Sequence, residues 1–435
     1  MAHFGILCLT FTGHLNPMTA LGSELQRRGH RVTVFGLLDA QAKVTSARLD
    51  FKALGEDKFP LGSFEILLDR LGKLRGADAM QHTTYLCKLE AIIKLREAPT
   101  AIEEAGVEFL LIDQSALEGG TIAEHLNIPF ITICNALMLN VEPKIPPIFF
   151  LWKYDSSCFG ELRNLIGHIL VLILLGITGL SLRILIDNYR KDWELAPYPY
   201  FSKIDVAFSP LAQISQQPLE FEFERRELPE YFHFTGPFLS LVNYNTTPFP
   251  RERLTGQRLV YASLGTVQNS LKWVFQVIAE SCVGLDVQLV ITTGGSDVLD
   301  SLLDLPGSPL VVEYAPQLAL LQIADLTITH AGMNTVLESL TYGVPMVGIP
   351  ITNDQPGVAA RIAWTGTGEV VHLSDLSVDK LRAAIQRVLT ENTYRTNALR
   401  LQKAIERAGG VKRAAEIIEQ VIHTGKPATS QNFPA

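Results

Sequence analysis

Tyr314 to Gln355 reads YAPQLALLQIADLTITHAGMNTVLESLTYGVPMVGIPITNDQ, and this stretch decides the fold. LTIT is an apolar, β-branched run bounded by polar residues, so it reads as a buried strand with His330 at its end. AGMNTVLESL then starts a helix whose first turn is built of small residues. Gly332 permits close approach to the backbone, and the free N–H groups of that first turn suit an anion. Asn334 and Glu338 are four residues apart and share a helix face. A phosphate at the helix start would leave Glu338 one turn on, placed to accept hydrogen bonds from ribose hydroxyls. Asp354 and Gln355 follow the next strand and its loop, within reach of further hydroxyls at the same edge. Capping alone could explain each polar residue singly. It does not explain so many of them at one sheet edge.

Outward from this stretch the pattern repeats. RLVYASLG, VQLVITTGG, PLVVEYAP, VPMVGIP and EVVHL are strand-like runs with helical pattern between them. SLGTV (Ser263–Val267) follows the first of them. Its small residues, Gly265 and Thr266 among them, predict a βα turn entering a helix, with backbone N–H groups offered to a phosphate. The first half follows the same plan. FGILCLTF, RVTVFG, FLLID (Phe109–Asp113), PFITIC (Pro129–Cys134) and VAFS (Val206–Ser209) read as parallel strands. TGHLNP reads as a loop before a helix that carries Leu15, Met18, Leu21 and Leu25 on one face. The fold class expected is α/β, with two doubly wound parallel-sheet, Rossmann-like domains facing across a cleft. The expected boundaries are 1–238 for the first domain, 239–258 for a linker and 259–410 for the second domain. A helix at 411–425 is expected to cross back to the first domain, and 426–435 to fray.

Two residues of the first half gain meaning together. His14 follows strand one, and alone it would read as a surface or capping residue. Asp113 closes another buried parallel strand, so both side chains can emerge at one sheet edge. An aspartate bonded to one imidazole nitrogen fixes the tautomer and leaves the other nitrogen to take a proton.

Composition narrows the class. The chain has 435 residues, 47% apolar and 19% charged, with net charge −8 and no Lys/Arg block, which argues against nucleic acid as a partner. Its five cysteines (Cys8, Cys87, Cys134, Cys158, Cys282) are scattered and odd in number, as expected of reduced thiols in a cytoplasm. The apolar start MAHFGILCLTF lacks the basic residues that open a signal peptide and reads as a first strand. LIGHILVLILLGITGLSLRILI (Leu165–Ile186) reaches the length of a transmembrane span. It lies between strands assigned to one sheet, so a single crossing would strand backbone groups on opposite sides of a bilayer. It is expected to be buried as core and pocket wall, with an apolar face dipping into one leaflet as the alternative.

At these residues the chain resembles the nucleotide-sugar signature of the family 1 glycosyltransferases, the UDP-dependent superfamily. His330, Gly332, Asn334, Glu338, Asp354 and Gln355 stand at the family's mutual spacing, and Gln317 fits its upstream APQ element, with Ala315 beside it. Met333 and Tyr314 replace the tryptophans usual in plant members. HAGM is the form seen in bacterial macrolide and carotenoid (zeaxanthin-type) glucosyltransferases. The resemblance implies a GT-B fold and a UDP-sugar donor. His330 and the helix start, including Thr335, would hold the diphosphate, with Ser263, Gly265 and Thr266 as a second contact. Tyr314 would stack on uracil, Glu338 bind the ribose, and Asp354 with Gln355 the sugar, glucose being implied by Gln355. It also implies His14 as base and Asp113 as its orienter, in an inverting single displacement.

No DxD pair occurs, so no metal and no cofactor beyond the UDP-sugar substrate is expected. The apolar run IPPIFFLW (Ile145–Trp152) and the stretch 165–186 suggest a small hydrophobic alcohol as acceptor, a carotenoid, terpenoid, sterol or polyphenol. A monomer is expected. GxGxxG and GxSxG are absent, which removes a nicotinamide dehydrogenase and an α/β-hydrolase. A UDP-sugar epimerase of the same fold, or a non-catalytic UDP-sugar or lipid binder, remains as the alternative.

Overall fold

The computed structural model describes residues 1–199, 204–239, 247–267, 269–295, 302 and 304–429. Residues 240–246 of the expected linker and 430–435 of the expected tail lie outside them. The first half runs β1 (His3–Leu7), α1 (Thr12–Arg27), β2 (Arg31–Gly36), α2 (Gln41–Ser46), β3 (Asp50–Ala53), α3 (Ser63–Gly72) and α4 (Gly76–Ala105). It continues through β4 (Phe109–Asp113), α5 (Gly119–Leu126), β5 (Phe130–Cys134), α6 (Cys158–Asp192), β6 (Gln213–Ser215) and β7 (Phe232–Phe234). The second half runs β8 (Arg258–Ser263), α7 (Lys272–Cys282), β9 (Val287–Thr292), β10 (Leu310–Val312), α8 (Gln317–Leu321), β11 (Ala324–Thr329) and α9 (Met333–Thr341). It ends with β12 (Met346–Gly348), α10 (Gln355–Thr365), β13 (Gly368–Val370), α11 (Val378–Thr390), α12 (Asn392–Ala408) and α13 (Gly410–Thr424).

Both sheets are parallel in every pairing described. Their strand orders are β3-β2-β1-β4-β5-β6-β7 and β10-β9-β8-β11-β12-β13. The order reverses between β1 and β4 in one sheet and between β8 and β11 in the other. In open α/β sheets the crevice at such a reversal is where ligands bind. The strands are covered on both faces by helices, which is why they read as unbroken apolar runs. Helix α13 packs on the first domain: Ala414, Ile417, Ile418 and Val421 share a core with Leu21, Leu25 and Val32. Arg28 and His30 hold its Glu419 at 2.8 and 3.2 Å.

Five local expectations are corrected. TGHLNP is not a loop: Thr12 starts α1, so His14 lies in the helix's first turn and Pro17 in its second. SLGTV does not enter a helix directly. Asn269 ties the loop to the carbonyls of Thr293 and Gly294, and α7 begins only at Lys272. VAFS is not a strand, since a 3-10 turn covers Ile204–Ala207 and the pairing falls on Gln213–Ser215. The end does not fray before residue 430: Ala428 is fully buried, bonding Leu211 O through its N–H and accepting from His233 through its carbonyl.

The fifth correction concerns Leu165–Ile186. Most of this stretch is not buried core. Ile177, Leu172 and Ile173 are 87%, 70% and 67% exposed, and Leu165, Ile166, Ile169, Leu180 and Ile184 are exposed as well. Only one face, through Val171, Leu182 and Ile186, turns inward. α6 breaks at Gly176, whose φ of 52° and ψ of −141° no helix contains. α6 is long and apolar enough to cross a membrane. It connects β5 to β6, which pair in one sheet, so crossing would tear that pairing apart.

Candidate functional site: a cleft between two switch points

A cavity of about 1380 Å³ lies between the two sheet edges and is lined from both domains. On the first side, β1 and β4 are neighbours, which brings the turn after β1 alongside Asp113 at the end of β4. His14 Nδ1 stands 2.6 Å from Asp113 Oδ2. Asp113 is fully buried and also accepts from the Ser115 and Leu9 amides. An ionised carboxylate only accepts, so Nδ1 carries the hydrogen and Nε2 is left with a lone pair. Burial disfavours the imidazolium, but the charge and hydrogen bond of Asp113, with Asp354 and Glu90 further off, raise His14 above the ordinary histidine value. Asp113 is shifted the opposite way: burial is outweighed by His14 and the two amides, and its carboxyl is held below the usual range. The turn carrying His14 is itself clamped, because buried Glu90 accepts from both the N–H and the hydroxyl of Thr10. Lys94 bridges Glu90 and Glu118 beneath it.

On the second side, β8 and β11 are neighbours, with Ser263 opposite Thr329. His330 follows β11 and lies between two glycines. A Cβ on Gly265 (φ +77°) would meet the His330 ring at 2.6 Å, and one on Gly332 would meet it at 2.5 Å. The glycines therefore make room for the imidazole as well as for a ligand. Burial pushes His330 down to about 4, so at neutral pH it is an uncharged donor or acceptor and not a cation. Ala331, between the ring and the helix, takes a left-handed φ of +63°, a conformation uncommon outside glycine and found at constrained sites.

Gly332 is the N-cap of α9, and Met333, Asn334 and Thr335 form its first turn with no side-chain cap. The free N–H groups therefore face the cavity these residues line. Glu338 accepts from Gln317, whose carbonyl oxygen accepts from Tyr261 at 2.7 Å. Burial raises Glu338 to about 7, against the influence of Gln317 and Lys43. Tyr314 lines the cavity with half of its surface exposed, and Ala315 and Thr266 line it too.

The remaining expected residues differ in what they do. Asp354 and Gln355 cap and begin α10 and line the cavity. Gln355 Oε1 is taken by the Ile351 and Thr352 amides, at 2.8 and 3.0 Å. Asp354 accepts from Leu137 N of the first domain at 3.3 Å. Asn334 also reaches across: its Nδ2 donates to Gly13 O at 2.9 Å, and its Oδ1 accepts from Gln216. Thus the cleft is already bridged beside His14. Asn135 was missed from sequence. It follows β5, is 2% exposed, lines the cavity, and neither side-chain amide atom has a partner among the described residues. Its position at the end of PFITIC, one strand from Asp113, was the available signal.

Two doubly wound parallel-sheet domains facing across a cleft define the GT-B class of glycosyltransferases. Solved structures agree in fold. The glycosyltransferase of kitacinnamycin matches with a TM-score of 0.75 at 24% identity, covering 96% of this chain and 98% of that one. CalG4, the calicheamicin glycosyltransferase, matches at 0.68 and 22%, covering 98% and 100%. The profile of the family described as UDP-glucoronosyl and UDP-glucosyl transferase matches residues 255–413. A zeaxanthin glucosyltransferase of Pantoea ananas is 32% identical over 432 residues, 99% of this chain and 98% of its own. A second, from Pseudescherichia vulneris, is 29% identical over 426 residues, covering 97% and 98%. The chain belongs to the family 1 glycosyltransferases and is a UDP-glycosyltransferase.

Proposed function

We propose that the enzyme transfers glucose from UDP-glucose to a hydroxyl of a small hydrophobic alcohol, with inversion and without a metal. The observation that carries this is the His14–Asp113 pair, 2.6 Å apart, facing into the same cavity as the start of α9. His14 Nε2 takes the acceptor proton as the oxygen attacks the anomeric carbon, and UDP departs toward the α9 N-terminus and His330. A neutral imidazole donor and a helix dipole aimed at the leaving diphosphate supply the charge stabilisation a metal would otherwise give. Leu137, Met138, Val171 and Leu182 line the acceptor side, which suits a carotenoid- or terpenoid-like alcohol. The test is incubation with UDP-glucose and EDTA against a panel of apolar alcohols, with NMR of the anomeric centre. A β-glucoside is expected. Tight UDP binding without product from any acceptor overturns transfer, and UDP-sugar turnover without acceptor indicates an epimerase.

We further propose that the acceptor arrives from a lipid bilayer against α6, on the cytoplasmic side. Leu172 and Leu180 are exposed outside and also line the cavity, so the apolar surface and the acceptor chamber are continuous. From Asn164 to Leu182 no side chain is charged apart from what His168 can carry, which complements hydrocarbon. Lys153 and Arg163 stand at its start, Arg163 over the Trp152 ring at 5.2 Å, a combination suited to the headgroup layer. The five unpaired cysteines suit a reducing compartment. Co-flotation with neutral liposomes is expected. Protein that never floats overturns the proposal, as does a stable dimer in gel filtration that dissociates on Ile177→Asn.

A further inference from the structure

A nucleoside diphosphate brings several negative charges into a cleft whose C-terminal wall is itself acidic, with Glu313, Glu338 and Asp354 lining it. His330 on that wall is neutral at pH 7. The cations of the cavity are largely engaged already. Arg183 pairs with Asp187 at 2.8 Å, Arg225 with Glu222 at 3.4 Å, and His14 with Asp113. Lys43 is different. It lies on α2 of the first domain, lines the same cavity half-buried, and its ammonium makes no hydrogen bond or ion pair among the described residues. Burial draws its ammonium below the ordinary lysine value, and the charge opposing that shift is Glu338 of the other domain. Lys43 and Glu338 thus line one cavity from the two domains. A strongly hydrated ammonium kept half-buried without a partner is unfavourable until an anion meets it.

We propose that Lys43 is a donor-binding residue supplied by the acceptor-side domain, its Nζ donating to the diphosphate of the bound nucleotide. The donor is then held from both sides of the cleft. The inference rests on the UDP-sugar reading above. It names a contact that neither the α9 helix start nor the SLGTV loop can make, since both belong to the second domain.

Calorimetric titration of UDP and of uridine separates this contact from the rest of the site. Lys43→Met is expected to weaken UDP about 10-fold, the effect of losing one charge-assisted hydrogen bond, and to leave uridine unchanged. Lys43→Arg should recover most of the loss. Since the Lys43 ammonium holds no neighbour, the melting temperature should not move; Lys43→Gln is the substitute if the methionine variant is insoluble. Native affinity of Lys43→Met for UDP overturns the inference. So does a parallel loss for uridine, which would place the ammonium on Glu338 and the ribose. A native enzyme that binds no UDP overturns the donor reading itself, whereas a native enzyme that binds UDP as well as the variant overturns only the role of Lys43.

Discussion

His14 and His330 each stand just beyond a strand at which the strand order reverses, His14 after β1 and His330 after β11, the counterpart of β4. Their surroundings make them chemically opposite. His14 has a buried carboxylate on Nδ1 and is raised above the ordinary histidine value. His330 is walled by Gly265 and Gly332, its Nδ1 has no partner among the described residues, and it is held down to about 4. A base must be able to keep a proton for the moment of transfer. A group beside a leaving diphosphate can serve as a neutral donor throughout. The same side chain at the two switch points thus differs in chemistry through one neighbour, Asp113, which His14 has and His330 lacks.

The largest expected effect comes from removing the first histidine. His14→Ala should lower kcat by on the order of 10³-fold while UDP binding, measured by calorimetry, stays as in the native enzyme. Unchanged kcat would remove His14 from the reaction. Asp113→Asn comes next, with a loss of about 10²-fold, since an amide can favour the wrong tautomer and no longer stabilises the cation. Its pH profile is the sharper reading. Because His14 is raised, native kcat/KM should fall as pH drops through a value above 6.5. Without the carboxylate that limb should move to lower pH. A limb that stays in place would mean that His14 owes its basicity to something other than Asp113.

The parts legible in sequence are those where chemistry sits at strand ends. Buried parallel strands read as apolar runs, so LTIT and FLLID located His330 and Asp113, and FGILCLTF placed His14 next to Asp113. β6 was invisible because two of its three residues, Gln213 and Ser215, are polar yet buried, Gln213 accepting from Asn140 Nδ2. TGHLNP was misread because Gly13 and Pro17 are poor helix residues on average, yet a proline in the second turn forfeits only one bond. The exposure of α6 stood in the sequence only as the alternative to burial, since hydrophobicity states what a segment avoids and not what covers it. Lys43 and Asn135 carry no motif. Only the cavity shows that they face the site.

Gly332→Ala tests the second histidine with a smaller expected effect. The new methyl would sit 2.5 Å from the imidazole, too close for either group to stay. Displacement of the ring should cost about 10-fold in UDP affinity, while the pH limb set by His14 stays where it is. A shift in that limb would show that the two histidines are coupled and not independent.

The smallest expected effect concerns the link between the two edges. Pro17 has no N–H, so the Gly13 carbonyl one turn earlier lacks its helical donor. Asn334 of α9 supplies the donor from across the cleft at 2.9 Å. Asn334→Ala leaves that carbonyl without its cross-cleft partner and should cost about 1 kcal/mol of closure, read as a 3- to 10-fold fall in kcat/KM for the donor. Pro17→Ala provides the cross-check, because its new N–H can take the Gly13 carbonyl and compete with Asn334. If the bridge holds His14 in register with the α9 start, both substitutions lower kcat/KM and the double variant loses little more than Asn334→Ala alone. Fully additive losses would mean that the bond to Gly13 does not connect the two histidines, and that each edge of the cleft is held by its own sheet.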